Sequence, residues 1–192
     1  MNNFTRDIKN DDGTIDVVVS DGGKFELAVP GNEESAVEFT NPAGTPSTYT
    51  VQTDGSIVLE DTMEISFKTD AGDTNVSGMN GKNVSLKVTD DGVEVTAPTG
   101  GGVVIEDGAS STNYGNAGSD DLKIVVDEDG DAVLKEGAAN VPSGKEIEVP
   151  TTDGDGRNNT IATKDGSIEV DDEGNVTVPN EGTEVTITNP DG

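Results

Sequence analysis

The sequence predicts an all-β protein of short antiparallel strands, and three observations carry that expectation. Apolar and polar residues alternate at period two in run after run, as in Met63, Ile65 and Phe67 against Glu64, Ser66 and Lys68. Asp-Gly pairs recur between such runs, at Asp21-Gly22, Asp54-Gly55, Asp91-Gly92, Asp129-Gly130 and Asp165-Gly166. No segment shows a helical period, and the prolines stand at or near the ends of the alternating runs, where a missing N–H costs little.

Taken in order, residues 1–13 read as an N-terminal arm, in which Phe4 is an apolar anchor with no counterpart later in the chain. Residues 14–20 (TIDVVVS) form the first expected strand, and residues 24–29 (KFELAV) run back from Asp21-Gly22. Asp-Gly between alternating runs predicts a type I′ hairpin, because that turn needs φ > 0 at both central residues. After the first, the Asp-Gly pairs lie roughly 36–38 residues apart, a period that signals an array of similar units. Each unit reads as a strand leaving the turn, a second strand after a short break and a third leading into the next turn. In the second unit these are SIVLE, residues 63–69 (MEISFKT) and residues 83–89 (NVSLKVT). Long Gly/Asn/Ser-rich connections join the second and third strands in the middle units. Two of them share Thr-Asn, at Thr74-Asn75 and Thr112-Asn113, which points to duplication.

Two architectures fit: an arrayed β-sandwich built from Asp-Gly hairpins, and a fibre-like or solenoid-like repeat. Tight hairpins favour the sandwich. Residues 14–98 and 99–192 are the two expected β regions, with one continuous domain as the alternative to that division.

Composition narrows the functional classes. Only 30% of residues are hydrophobic and 3% aromatic, so the core must be narrow. Asp and Glu number 39 against 11 Lys and Arg, and the net charge of −28 repels phosphate backbones and anionic membrane surfaces. Neither nucleic acid nor membrane is expected as a partner. Cys and His are absent, which removes thiolate chemistry, disulfides, zinc sites with N or S ligands and imidazole acid–base catalysis. No apolar run approaches a membrane span, and residues 1–13 lack a secretory h-region; with Met1 as the start, cytosolic synthesis is expected.

The acidic turns invite a calcium reading. Asp127, Asp129 and Gly130 match three places of a D-x-D-x-D-G loop and Glu136 falls where the bidentate Glu would lie, but the place of the first ligand is taken by Val125 and the flanking runs are strands, so an EF-hand is not expected. Looser oxygen-ligand sites are expected at Asp127, Asp129 and Asp131, at Asp153 and Asp155, or at Asp171, Asp172 and Glu173, with solvated acidic turns as the plain alternative. Calcium is the one cofactor that these turns suggest. Paired carboxylates could serve glycoside hydrolysis, but in so acidic a chain finding a pair says little. The run Gly100-Gly101-Gly102 lacks the Lys and the helix of a phosphate loop.

Short alternating strands, recurrent Asp-Gly turns, a composition high in Thr, Val, Gly and Asp, and no Cys together resemble phage virion fibre, decoration and tail proteins. The resemblance spans residues 13–192 as texture and rests on no diagnostic motif. It implies a non-enzymatic structural role at a virion surface, as a capsid decoration or a head or tail fibre. It also implies a homo-oligomer, a trimer above all, or a subunit of a capsid or tail lattice. The alternative is a calcium-stabilised or salt-adapted extracellular surface, adhesion or filament protein. Residues 1–10 of the N-terminal arm, with Phe4, are expected to dock on a neighbouring subunit or on a host lattice.

Overall fold

Period-two alternation gives every strand one dry face, and a chain with so few hydrophobic residues can fill only one shared layer between two sheets. The computed structural model describes residues 5–108, 110–151 and 156–190, apart from the side chain of residue 33. Among these residues there is no helix, and the strands form two sheets of eleven and nine.

The chain lays down hairpins on the two sheets in turn. β1 (Thr5–Lys9) and β2 (Ile15–Val19) pair in the first sheet, then β3 (Lys24–Val29) and β4 (Asn32–Thr40) in the second. β5 (Ser47–Val51) and β6 (Ile57–Leu59) return to the first sheet, β7 (Glu64–Thr69) and β8 (Gly72–Gly78) to the second. β9 (Val84–Thr89) and β10 (Gly92–Ala97) follow in the first, β11 (Gly102–Asp107) and β12 (Ser110–Asn116) in the second, and β13 (Leu122–Val126) and β14 (Ala132–Glu136) in the first. The rhythm then changes. β15 (Ala138–Val141) stands singly in the second sheet before β16 (Glu146–Pro150) and β17 (Asn158–Thr163) pair in the first. β18 (Ile168–Asp171) and β19 (Val176–Thr177) close the second sheet, and β20 (Val185–Thr188) closes the first.

Strand order is β1-β2-β5-β6-β9-β10-β13-β14-β16-β17-β20 in the first sheet and β3-β4-β7-β8-β11-β12-β15-β18-β19 in the second. The pairs β8–β11 and β10–β13 carry both sheets across residue 98. Inserting two strands in the opposite sheet returns the chain antiparallel to where it left. The single β15 returns it parallel instead, so β14 and β16 form the one parallel pair among the described residues, at Val133 and Glu148. This seam positions the candidate site.

Val84, Leu86 and Val88 on β9 and Ile65 and Phe67 on β7 are buried as their alternation predicts. An aromatic cluster packs the layer near β3: Phe25 lies 5.6 Å from Phe39 and 5.5 Å from Tyr49, and Phe39 lies 5.8 Å from Phe67, all between ring centroids. Both tyrosines reach across the layer to backbone. Tyr49 on β5 donates to the Glu64 carbonyl at 2.7 Å, and Tyr114 on β12 donates to the Glu146 carbonyl at 2.6 Å.

These ties predict an alkaline limit. Burial, with a smaller push from Glu64, raises the Tyr49 hydroxyl to about 12, and burial together with Glu146, Asp131 and Asp107 raises Tyr114 as well. Unfolded tyrosine ionises near 10. A raised folded value means that the stabilisation is whole below about pH 10 and is lost as pH climbs toward the folded values. As these are the only two tyrosines, tyrosinate absorbance should rise together with loss of the β circular-dichroism signal above about pH 10. Ionisation ahead of unfolding would contradict the buried ties.

Four expectations are corrected. First, only three of the Asp-Gly turns join paired strands, those at Asp54, Asp91 and Asp129. Asp21-Gly22 and Asp165-Gly166 carry the chain from one sheet to the other, since β2 and β17 lie in the first sheet and β3 and β18 in the second. Second, the turns are not type I′. Among the described residues the only non-glycine residues with φ > 0 are Thr62 and Asn80. At residues 10–14, 52–56, 127–131 and 171–175 the first N–H bonds the fifth carbonyl, at 2.9, 2.7, 3.1 and 3.1 Å, and the fourth residue is a glycine at φ between 80° and 92°. That is a type I turn closed by a left-handed glycine. Thr62, at φ 80°, occupies the place that Gly22, Gly100 and Gly144 hold in the related turns, where a β-branched residue is strained. Third, the long connections with Thr74-Asn75 and Thr112-Asn113 are strands, β8 and β12, equivalent in position within the second sheet. Fourth, residues 5–9 of the expected arm are β1, paired with β2 of the same chain. Phe4 lies outside the described residues.

Candidate metal centre

The β13–β14 loop is held by its first residue. Asp127 Oδ1 accepts the N–H of Asp129 at 3.0 Å and of Asp131 at 2.9 Å, while Gly130, at φ 92°, turns the chain back. An aspartate here is a turn cap before it is anything else. The parallel seam then adds a third carboxylate. Ile147 and Val149 on β16 are buried, so Glu148 points outward, and its register opposite Val133 brings it beside the loop. Ligand oxygens of Asp127, Asp131 and Glu148 all lie within 4.8 Å of one another. Asn158 on β17 orients Glu148 through Nδ2 to Oε2 at 2.7 Å.

Partial desolvation raises the Asp131 carboxyl above its ordinary value, although the residue as a whole is exposed, and the charges of Glu148, Asp127, Asp129 and Glu146 raise it further. A recess of about 400 Å3 opens beside it, lined among others by Tyr114, Asp131, Lys145, Glu146 and Glu148. Oxygens bound to one calcium at about 2.3–2.6 Å can be no more than about 5 Å apart, so the three carboxylates have ligand-like spacing for a hard cation.

The structure thus joins Asp127 and Asp131 but not Asp129, whose side chain is exposed and outside the group. Asp171 repeats the Asp127 cap, with Oδ1 accepting from the N–H of Glu173 at 3.1 Å and of Asn175 at 2.8 Å. Asn175, in the place of Asp131, also donates its Nδ2 to Asp171 Oδ2 at 2.9 Å. Burial pushes the Asp171 carboxyl up, but the hydrogen bonds from Asn175, Glu173 and Gly174 outweigh it and leave the group below its ordinary value. Among the described residues Asp172 and Glu173 do not join a three-carboxylate group. Asp153 and Asp155 lie outside the described residues.

Sequence reading missed Glu148. Its alternation marks it as outward-facing, but nothing local pairs it with a loop seventeen or more positions earlier. No family model matches the chain, nor does any curated protein or solved structure.

Proposed function

We propose that the chain is a non-catalytic structural protein of a virion surface, a capsid decoration or part of a head or tail fibre, acting as a homo-oligomer or as a subunit of a larger lattice. The observation that supports this reading is the pair of sheets, eleven and nine strands wide, which end in edge strands: β1 and β20 in one sheet, β3 and β19 in the other. Unpaired edges are templates for further strands, and assembly covers them. The −28 charge keeps copies apart elsewhere and disfavours nucleic-acid and membrane partners. The trimer is the copy number that the resemblance implies. Mass spectrometry of purified native particles should find the chain as a stoichiometric component. A specific hydrolytic turnover, abolished by Asp131→Asn or Glu148→Gln, would overturn the reading.

The carboxylate group supports a second reading, a calcium-stabilised surface or adhesion protein. Calcium at millimolar concentration is then expected to raise the melting midpoint by several degrees, since a ligand of the folded state stabilises by mass action. Asp131→Asn should cancel that response. Because the folded Asp131 is raised, its ionised form is less favourable in the fold than in the unfolded chain, and stability is lost as pH rises through its folded value. The variant should therefore melt higher than the parent in chelator at neutral pH, and the gain should shrink in acid. An unchanged midpoint with calcium dismisses the site. An equal rise with any salt indicates screening of net charge instead.

A further inference from the structure

The two ends of the sandwich are built differently. At the β1 end, Thr5, Asp7 and Lys9 stand opposite Val19, Val17 and Ile15 and so turn to the core side, yet all three are polar and exposed. Thr5 Oγ1 donates to the Lys24 carbonyl on β3 at 2.6 Å and ties the two edges together. On β1 this is a polar cap whose charged side chains blunt the edge, while Phe25, Leu27 and Val29 of β3 at the same end are half-buried against the core. At the other end the core side is apolar. Ile187 on β20 stands opposite the buried Ile161, and Val176 on β19 stands opposite the buried Val170. Ile187 is 55% exposed and Val178, two positions past Val176, is 43% exposed; among the described residues these are the large hydrophobics left in solvent. Neither residues 176–178 nor residues 185–188 carry a charge, in a chain with 26% charged residues.

We propose that this end pairs with the same end of a second copy, about a two-fold axis normal to the sheets. The inference rests on the assembly reading above and names its contact. Such an axis makes any edge strand meet its own copy antiparallel, so β20 meets β20, β19 meets β19, and both sheets continue. Head-to-tail stacking does not achieve this. The nine strands of the second sheet are antiparallel throughout, so β3 and β19 point the same way and would meet parallel. It would also set Val185 and Ile187 against the core-side positions of β1, where Asp7 and Lys9 stand. A second copy is favoured by charge as well: two chains of −28 repel over most of their surface, and the uncharged strands of this end let them touch. In a register centred on Thr186, Val185 of one copy faces Ile187 of the other, both on the dry side.

Sedimentation of the full chain at low and high salt tests this, and dimers should strengthen at least several-fold as salt screens the repulsion. Ile187→Lys and Val178→Lys should each yield monomers with the parent's circular dichroism. The chain has no cysteine, so Thr186→Cys provides a direct probe. Opposed residues of an antiparallel pair, about 4.5–5.5 Å apart at Cα, lie within disulfide reach. Oxidation should give a covalent dimer, and Thr5→Cys on β1 should not. A trimer or open series without the Thr186→Cys cross-link overturns the two-fold contact while leaving the assembly reading intact. A monomer at both salts overturns both.

Discussion

Replacing Asn41 with alanine is expected to lower the unfolding free energy by about 3–4 kcal/mol, a large part of the 5–15 kcal/mol typical of a domain. Asn41 is fully buried in the return from β4 to β5. Its Nδ2 donates to the carbonyls of Val19 at 3.0 Å, Ser20 at 3.2 Å and Thr45 at 2.9 Å. Its Oδ1 accepts the N–H of Ala43 at 3.1 Å and lies 3.1 Å from the Tyr49 hydroxyl. One side chain thus binds the end of β2, its own loop and the aromatic cluster. Alanine leaves several of these groups in a dry place without a partner, at about 1–3 kcal/mol for each one unsatisfied. Asn116 forms the same loop before β13, with Nδ2 to the Asp120 and Ala97 carbonyls and Oδ1 from the Gly118 N–H, but it is only half-buried. Asn116→Ala should cost about 1–2 kcal/mol, because water can replace what is lost. Urea unfolding with an unchanged denaturant slope checks both, and equal costs would show that burial is not the cause.

Replacing Gly92 with alanine is expected to cost about 3 kcal/mol or more and to remove any calcium response. Gly92 opens β10 at φ 137°, opposite Thr89. A Cβ built there would meet the Val126 carbonyl oxygen at 2.2 Å and Asp127 Cα at 3.0 Å. Both are backbone atoms, and Val126 is held by its pairing with Val93 and Ala132. Relief of the clash must shift the start of the loop that carries Asp127, and with it the spacing to Glu148. Gly44→Ala is the control: its φ is 70°, but a Cβ there meets nothing within 4 Å. It should cost only about 1 kcal/mol, the conformational penalty alone. Thermal melts with and without calcium compare the two, and similar costs would rule out the contact with β13.

The strands themselves were legible because alternation is a local property: the residues that make 63–69 a strand are the residues that bury Ile65 and Phe67. β8 and β12 were not, because their small and polar residues carry little strand signal, and they are held as strands by ladders to β7 and β11. The turns divide in the same way. Glycine marks a left-handed position wherever it falls, but a hairpin and a crossover between sheets can use the same Asp-Gly pair. Which one forms depends on whether the next strand's dry face lies beside the last strand or across the core from it. Asp127 and Asp131 could be named from the sequence since one loop holds both, although the spacing that suggests a cation ligand is also the spacing of a turn cap. Glu148 could not. It reaches them because the single strand β15 returns the chain parallel to β14, and that register is set by which strands the whole core buries together, a condition that no stretch of the sequence contains by itself.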